Sequence, residues 1–87
     1  KPLVDPPQAS VFTGTTVTWR NADTKPHGVI SQNGAINSGP CDPGNGVTST
    51  CIQPGKTYSW VAGEPGNYDY KDSSRPYVNV QLMVSSR

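Results

Sequence analysis

Short segments of alternating apolar and polar residues, each ended by turn-forming residues, set the strongest constraint on how this chain can fold. In residues 16–20 (TVTWR), Val17 and Trp19 point to one side and the polar residues to the other, which is typical of a half-buried strand. Comparable segments recur at residues 9–12, 27–31, 36–38, 56–61, 67–70 and 78–84. No window has sustained helical periodicity. The pattern predicts an all-β fold, a small antiparallel Greek-key β-sandwich or barrel.

The aromatic residues of the chain fall mostly on these segments. Five of the seven are Trp19, Tyr58, Trp60, Tyr68 and Tyr70. We expect them to pack in the core, and the alternative is that one or two of them form an exposed platform for carbohydrate. In the last segment, Val78, Val80, Leu82 and Val84 share one face.

Size and charge exclude several classes of function. The 87 residues predict a single domain over residues 1–87, in which residues 1–8 form a proline-rich arm or a stub strand. Only 32% of the residues are hydrophobic, and no stretch approaches the roughly 18 apolar residues that span a bilayer. The net charge of +1 gives no electrostatic basis for binding nucleic acid or an anionic membrane.

Cys41 and Cys51 are the only cysteines, and they lie in one loop rich in Gly, Pro, Ser and Thr. We predict a disulfide between them, and the alternative is a pair of metal thiolates. A disulfide would place the protein in an oxidising compartment, which means extracellular, on the cell surface or periplasmic. The first residue, Lys1, is not a methionine, which predicts a processed chain.

Four motifs in order resemble the cupredoxin family. Residues 14–21 (GTTVTWRN) resemble the family's G-(D/T)-T-V-T-W-x-N strand, and residues 26–29 (PHGV) its P-H-x-V. Residues 54–58 (PGKTY) are similar to its P-G-x-(S/T)-(F/Y), and residues 65–70 (PGNYDY) to its P-G-x-Y-x-Y. The resemblance covers residues 9–84 and implies a cupredoxin-like sandwich.

The copper ligands of that family do not carry over. On the family pattern His27 stands at the first histidine, Asp72 at the thiolate, Arg75 at the second histidine and Val78 at the axial methionine. A type-1 copper site needs two imidazoles and a thiolate, and these 87 residues contain one histidine. The resemblance therefore implies a degenerate member whose type-1 site is lost, and we predict no metal or other cofactor.

His27 and Asp72 remain weak candidates for binding copper or zinc. The other interpretation is that His27 is a hydrogen-bonded fold position at one end of the sandwich. For Asp72 we expect an ion pair with Arg75 inside an exposed loop over residues 71–77. A further hypothesis is that Arg75 fills the space of the metal.

Catalytic chemistry has little support in the sequence. Only His27 could serve as an imidazole base for a nucleophile, and the six carboxylates are dispersed along the chain. We predict that the protein is not an enzyme and that no residue is catalytic.

These observations predict a non-catalytic structural or interaction module. Its partner would be a protein, including copies of itself joined through strand edges in a cell-surface or filament assembly. Residues 1–7 are too short and proline-rich for a full strand, so another chain would complete the sheet by strand addition. The alternative is a copper-binding protein for electron transfer or copper handling, with an atypical site around His27.

Overall fold

Seven short β-strands account for nearly all the regular structure of the protein. The structure is a computed structural model that describes residues 3–4, 10–73 and 75–86, and the side chains of 10–73 and 79–86. The strands are β1 (Leu3–Val4), β2 (Ser10–Phe12), β3 (Thr16–Asn21), β4 (Val29–Ser31), β5 (Thr57–Val61), β6 (Gly66–Asp72) and β7 (Arg75–Ser85). One 3₁₀ turn, Pro43–Asn45, lies in the cysteine loop. Among the described residues, no helix is long and apolar enough to cross a membrane.

The strands form two sheets, which confirms the predicted β-sandwich. One sheet has the order β1-β3-β5 and the other β2-β7-β6-β4. Successive strands from β1 to β6 alternate between the two sheets, and β7 follows β6 in the same sheet. All strand pairs are antiparallel except β2–β7, in which Ser10, Val11 and Phe12 run parallel to Met83, Val84 and Ser85. The other four strand pairs are antiparallel, as predicted.

The core is built from the alternating residues that the sequence singled out. Trp19, at the centre of β3, is fully buried, and its ring lies 5.3 Å from the Tyr70 ring in an edge-to-face contact. The Trp60 and Tyr68 rings make a similar contact at 5.0 Å. Trp19, Tyr68 and Tyr70 are buried, and Tyr58 is half-buried beside them. The aromatic residues thus pack in the core, as predicted.

Two segment boundaries differ from the prediction. Residues 36–38 do not form a strand but make one isolated bridge, between Ile30 and Asn37. The predicted loop over residues 71–77 is mostly strand, because β6 continues to Asp72 and β7 begins at Arg75. The ladder continues that far because β4 supplies a partner, with Val29 opposite Asp72. Asp72 therefore sits on a strand end rather than in an open loop.

Candidate functional site

His27, the single histidine, is buried at one end of the sandwich. Its backbone makes an isolated bridge with Ile52, with His27 N–H donating to the Ile52 carbonyl at 3.1 Å and the Ile52 N–H donating back at 2.6 Å. Only 3% of the residue is exposed. The bridge ties the histidine to the end of the cysteine loop just before β4 begins, which fixes the position of its ring.

Two carboxylates contact the imidazole ring of His27 from opposite sides. Nδ1 lies 2.5 Å from Asp72 Oδ2, and Nε2 lies 2.6 Å from Asp23 Oδ2. The Asp23 and Asp72 side chains are only 10% and 13% exposed. Carboxylates accept hydrogen bonds, so both ring nitrogens donate at once only when the ring is an imidazolium. Two carboxylates thus face both nitrogens of one buried ring, and we call these three residues the His27 cluster.

Strand alternation places Asp72 in the His27 cluster. Tyr68, Tyr70 and Asp72 are successive inward residues of β6, and the first two are buried in the core. Asp72 continues this face beyond the apolar core, where it reaches the histidine. The register with β7 shifts between Lys71 and Asp72, so the carboxylate lies at a local irregularity of the hairpin.

A network of loop hydrogen bonds places Asp23. The Asp23 N–H donates to Asn21 Oδ1 at 2.8 Å, and the Thr24 N–H donates to Asp23 Oδ1 at 2.7 Å. Asn21 is fully buried, and its Nδ2 donates to the carbonyls of Lys25 and Ile52 at 2.8 and 2.7 Å. The bond from His27, aided by the Thr24 N–H, holds the pKa of the Asp23 carboxyl well below its usual range.

Sequence reasoning did not assign Asp23 to the site. The available signal was its spacing of four residues from His27, but this spacing lies in a turn-rich connection rather than a helix. The meeting of the two side chains therefore depends on the path of the 21–27 loop. The buried Asn21 holds that loop against Ile52 and so contributes to fixing its path.

Gly28 lets three segments meet beside His27. A Cβ on Gly28 would lie 2.7 Å from Cys41 Cβ and 3.0 Å from Ser73 Oγ. The Ser73 N–H also donates to the Gly28 carbonyl at 2.9 Å. The cysteine loop and the β6–β7 hairpin thus close on the same glycine, and only a residue without a side chain fits between them.

Cys41 and Cys51 form the predicted disulfide. Both residues are largely buried, and their Cα atoms are 4.8 Å apart. In the chain-entropy model, closing a loop of this length contributes about 3 kcal/mol. The bond indicates an oxidising compartment, and it removes both thiols from the donors available to a metal.

The His27 cluster does not have the donor arrangement of a type-1 copper centre. A metal binds an imidazole through a nitrogen lone pair, whereas both nitrogens here face carboxylates. Asp23 and Asp72 lie on opposite edges of the ring, so they cannot converge on one ion together with the same nitrogen. Within residues 3–4, 10–73 and 75–86, no group of three or more His, Cys, Asp or Glu residues could hold a metal ion.

Several sequence predictions concern side chains that the structure does not describe. The side chains of Arg75 and Val78 lie outside the described set, and with them the predicted Asp72–Arg75 ion pair and the idea that Arg75 fills the metal space. The described contact of the Asp72 carboxylate is with His27. The assignment of His27 and Asp72 as weak metal ligands stays a prediction.

A polar groove on the outer face of the second sheet is a separate feature. It has a volume of about 430 Å³ and crosses three strands of that sheet. Its lining residues are Ile30, Gln32, Asp69, Lys71 and Asn79. None of these five described residues belongs to the His27 cluster, and none of them is aromatic.

Comparison with known proteins links this frame to copper proteins. The chain is 31% identical to the structure of a purple cupredoxin from Nitrosopumilus maritimus, over 87% of this chain and 75% of that chain, with a TM-score of 0.63. The chain belongs to the cupredoxin family. The Cu(I) form of an amicyanin mutant is 28% identical, over 87% of this chain and 67% of that one, with a TM-score of 0.66.

A curated sequence gives the same relationship. Amicyanin-alpha from Methylorubrum extorquens is 29% identical over 80 residues, which are 90% of this chain. The chain spans 60% of the length of that relative. No family model matches the sequence.

The cupredoxin pattern allows the His27 cluster to be compared with the ligand positions of a copper site. The prediction that His27 stands at the first histidine position and Asp72 at the thiolate position of that pattern stays a prediction. In the fold, His27 Nδ1 and Asp72 Oδ2 are in hydrogen-bond contact.

Proposed function

We propose that this protein is a non-catalytic cupredoxin-like interaction module in which the His27 cluster takes the place of the copper centre. The observation that carries the proposal is the pair of carboxylates on the two ring nitrogens of His27. The donors of a type-1 site are replaced by a set of charges that satisfy one another. Electron transfer through a bound copper is then not the role of this domain.

The His27 cluster would do the structural work that a metal does elsewhere. Asp23 and His27 both come from the connection between β3 and β4, and Asp72 comes from the end of β6. The bond between His27 and Asp72 therefore joins that connection to β6, and the bond between His27 and Asp23 braces the connection itself. Hydrogen bonds to charged groups contribute about 1.5–3 kcal/mol each, so such a junction can hold the loops without a metal.

The cellular setting and the partner follow from the same features. A disulfide of this kind is stable outside the cytoplasm, so we place the protein outside the cell, on the cell surface or in the periplasm. Its partners would be proteins, including copies of itself in a cell-surface or filament assembly. Specificity would reside in strand edges and in the loops around the His27 cluster, with no catalytic residue.

The competing function is copper binding for electron transfer or copper handling. Membership of the cupredoxin family favours it, since the similar structures include a purple cupredoxin and the Cu(I) form of an amicyanin mutant. It would require His27 to exchange its bond with Asp72 for a metal. A single imidazole and a carboxylate lack the thiolate and second imidazole on which a type-1 site depends.

Titration with Cu(II) separates the two functions. We expect the protein, dialysed against a chelator and then given Cu(II), to take up no stoichiometric copper and to remain colourless by visible spectroscopy. The Asp72→Ala variant removes the acceptor from Nδ1 and should bind Cu(II) more tightly than the wild type, still without intense colour. Asp69→Ala, at an exposed position of the same strand, is the matched control and should behave as the wild type.

Either of two results would overturn the proposal. One is uptake of one copper per wild-type chain with intense visible absorption. The other is tight copper binding by the wild type that Asp72→Ala leaves unchanged, because the carboxylate would then not be what keeps the metal out.

A further inference from the structure

The outer edge of β5 is an open strand edge in the described part of the molecule. β5 ends the β1-β3-β5 sheet, and its five residues pair on one side only, with β3. The other terminal strands, β1, β2 and β4, have only two or three residues. Asn37 also bridges the edge strand β4 at Ile30. β5 is therefore a terminal strand of five residues whose outer edge has no strand partner in the described part of the molecule.

The hydrogen-bond pattern shows which groups of β5 face outward. The Asn21 N–H donates to the Lys56 carbonyl, and the Ala62 N–H donates to the Thr15 carbonyl. Hydrogen-bonded pairs alternate in an antiparallel ladder, so Tyr58 and Trp60 also bond towards β3. The main-chain N–H and C=O groups of Thr57, Ser59 and Val61 must then point away from the sheet. These three residues are exposed, and Val61 has 60% of its surface accessible.

β5 lacks the features that usually keep an edge strand from pairing. Charged residues, prolines and bulges protect such edges in many proteins. The sequence of β5, TYSWV, contains no charged residue and no proline, and its pairing with β3 has no bulge. An unprotected edge of aromatic, hydroxyl and β-branched residues is suited to accept another strand.

We propose that β5 pairs antiparallel with β5 of a second copy of this chain, about a two-fold axis at Ser59. This inference rests on the proposed function and names the surface and the partner of the interaction module. In this register Thr57 lies opposite Val61, Tyr58 opposite Trp60, and Ser59 opposite its own copy. The outward groups would make about six main-chain hydrogen bonds, and the two three-stranded sheets would join into one.

The side-chain pairs of this register are favourable. Tyr58 and Trp60 would meet at a position without main-chain hydrogen bonds, where opposite side chains come closest. Both rings already pack against the core, Tyr58 on Trp19 and Trp60 on Tyr68. Pairing would extend this aromatic row across the axis, and aromatic cross-strand pairs contribute about 0.2–1 kcal/mol each.

Charge complementarity favours an antiparallel orientation of the two strands and a second copy of this chain as the partner. β5 is preceded by Lys56 and followed, three residues after its end, by Glu64, and both are exposed. About a two-fold axis at Ser59, Lys56 of each copy lies near Glu64 of the other, at the diagonal spacing that long side chains can bridge. A parallel arrangement would instead place Lys56 beside Lys56 and Glu64 beside Glu64.

The dimer should be weak and should dissociate on dilution. Five residues of strand are about 17 Å long. The buried area is then expected at the low end for protein interfaces, below about 1,200 Å². Sedimentation equilibrium from micromolar to millimolar concentration is the appropriate measurement, with circular dichroism to verify the fold of each variant.

Two sets of variants test the surface. Ser59→Lys places like charges on the axis and should weaken dimerisation about tenfold or more, since like charges directly opposite each other destabilise a strand pair. Gln81→Lys adds the same charge on the outer face of the other sheet and should have no effect. Lys56→Glu and Glu64→Lys should each weaken the dimer, and the double variant should restore it, because exchanging the two charges preserves their pairing.

Any one of the following results would overturn the proposed β5 dimer. A wild type that remains monomeric at millimolar concentration, including one that binds only an unrelated extended peptide, overturns it. A dimer that is insensitive to Ser59→Lys, or single charge variants that the double variant does not rescue, also overturns it. None of these results bears on copper uptake, so failure of the β5 interface and failure of the proposed function are distinguishable.

Discussion

At the scale of single residues, the central feature of the protein is the set of side chains that contact His27. A buried imidazolium without partners would be strongly unfavourable, and a buried carboxylate likewise. Asp23 and Asp72 satisfy both ring nitrogens, and the Asn21 side chain and the Thr24 N–H hold Asp23 in place. The three side chains are coupled through the imidazole ring, because His27 contacts both carboxylates.

The charge of Asp23 should make the free energy of unfolding depend on pH in the acidic range. Because its pKa in the folded state is held below the usual value, the ionised carboxylate stabilises the fold fully above about pH 4. This contribution is lost as the pH falls below that value towards the folded-state pKa. Urea unfolding from neutral pH down to about pH 2.5 should show wild type more stable than Asp23→Asn above about pH 4, with the difference shrinking below it.

A control variant tests whether the effect depends on the position of the carboxylate that is removed. Asp69→Asn removes one carboxylate from an exposed site outside the His27 cluster. Its stability should follow the wild type in parallel across the same range. An Asp23→Asn curve that also runs parallel to the wild type would show that Asp23 gains nothing from His27.

At the scale of elements, the end of the sandwich is held by the approach of the cysteine loop to the β6–β7 hairpin. The Cys41–Cys51 disulfide closes the loop, and the Ser73 N–H ties the hairpin to the Gly28 carbonyl. Gly28 lies between them with no space for a side chain. The glycine in the PHGV motif is therefore a packing requirement of this end of the molecule.

Adding one methyl group at this point should destabilise the protein. We expect Gly28→Ala to lower the free energy of unfolding by about 1–3 kcal/mol, because the new Cβ would meet Cys41 Cβ, which the disulfide holds in place. Gly63→Ala is the matched control, since a Cβ there meets nothing within 4 Å. Thermal and urea unfolding measure both. Equal stability of the two variants would mean that the loop and the hairpin can separate without cost.

Much of this fold was predictable because alternation is local. The inward series of β3 and β7 can be read directly from apolar residues at every second position. The parallel pairing of β2 with β7 was not predictable, because strand direction depends on how the chain crosses between sheets. The full length of the β6–β7 hairpin was also missed, since it depends on β4 lying beside Asp72.

At the scale of the whole molecule, the candidate site was only partly predictable. His27 and Asp72 stand out from the cupredoxin pattern, and the fold brings them together. Asp23 does not stand out, because its contact with the histidine is made by the shape of a loop. The family frame predicts where a site lies, whereas the chemistry of the site depends on the side chains that fill it.

The proposed role of the His27 cluster depends on whether both nitrogens of the His27 ring carry protons. Nitrogen-15 NMR of the His27 side chain at neutral pH, before and after addition of Cu(II), tests it most directly. We expect both ring nitrogens to carry protons, each hydrogen-bonded to a carboxylate, and the spectrum to remain unchanged when copper is added. A ring with one unprotonated nitrogen whose signal is lost on addition of one equivalent of Cu(II) would contradict the account.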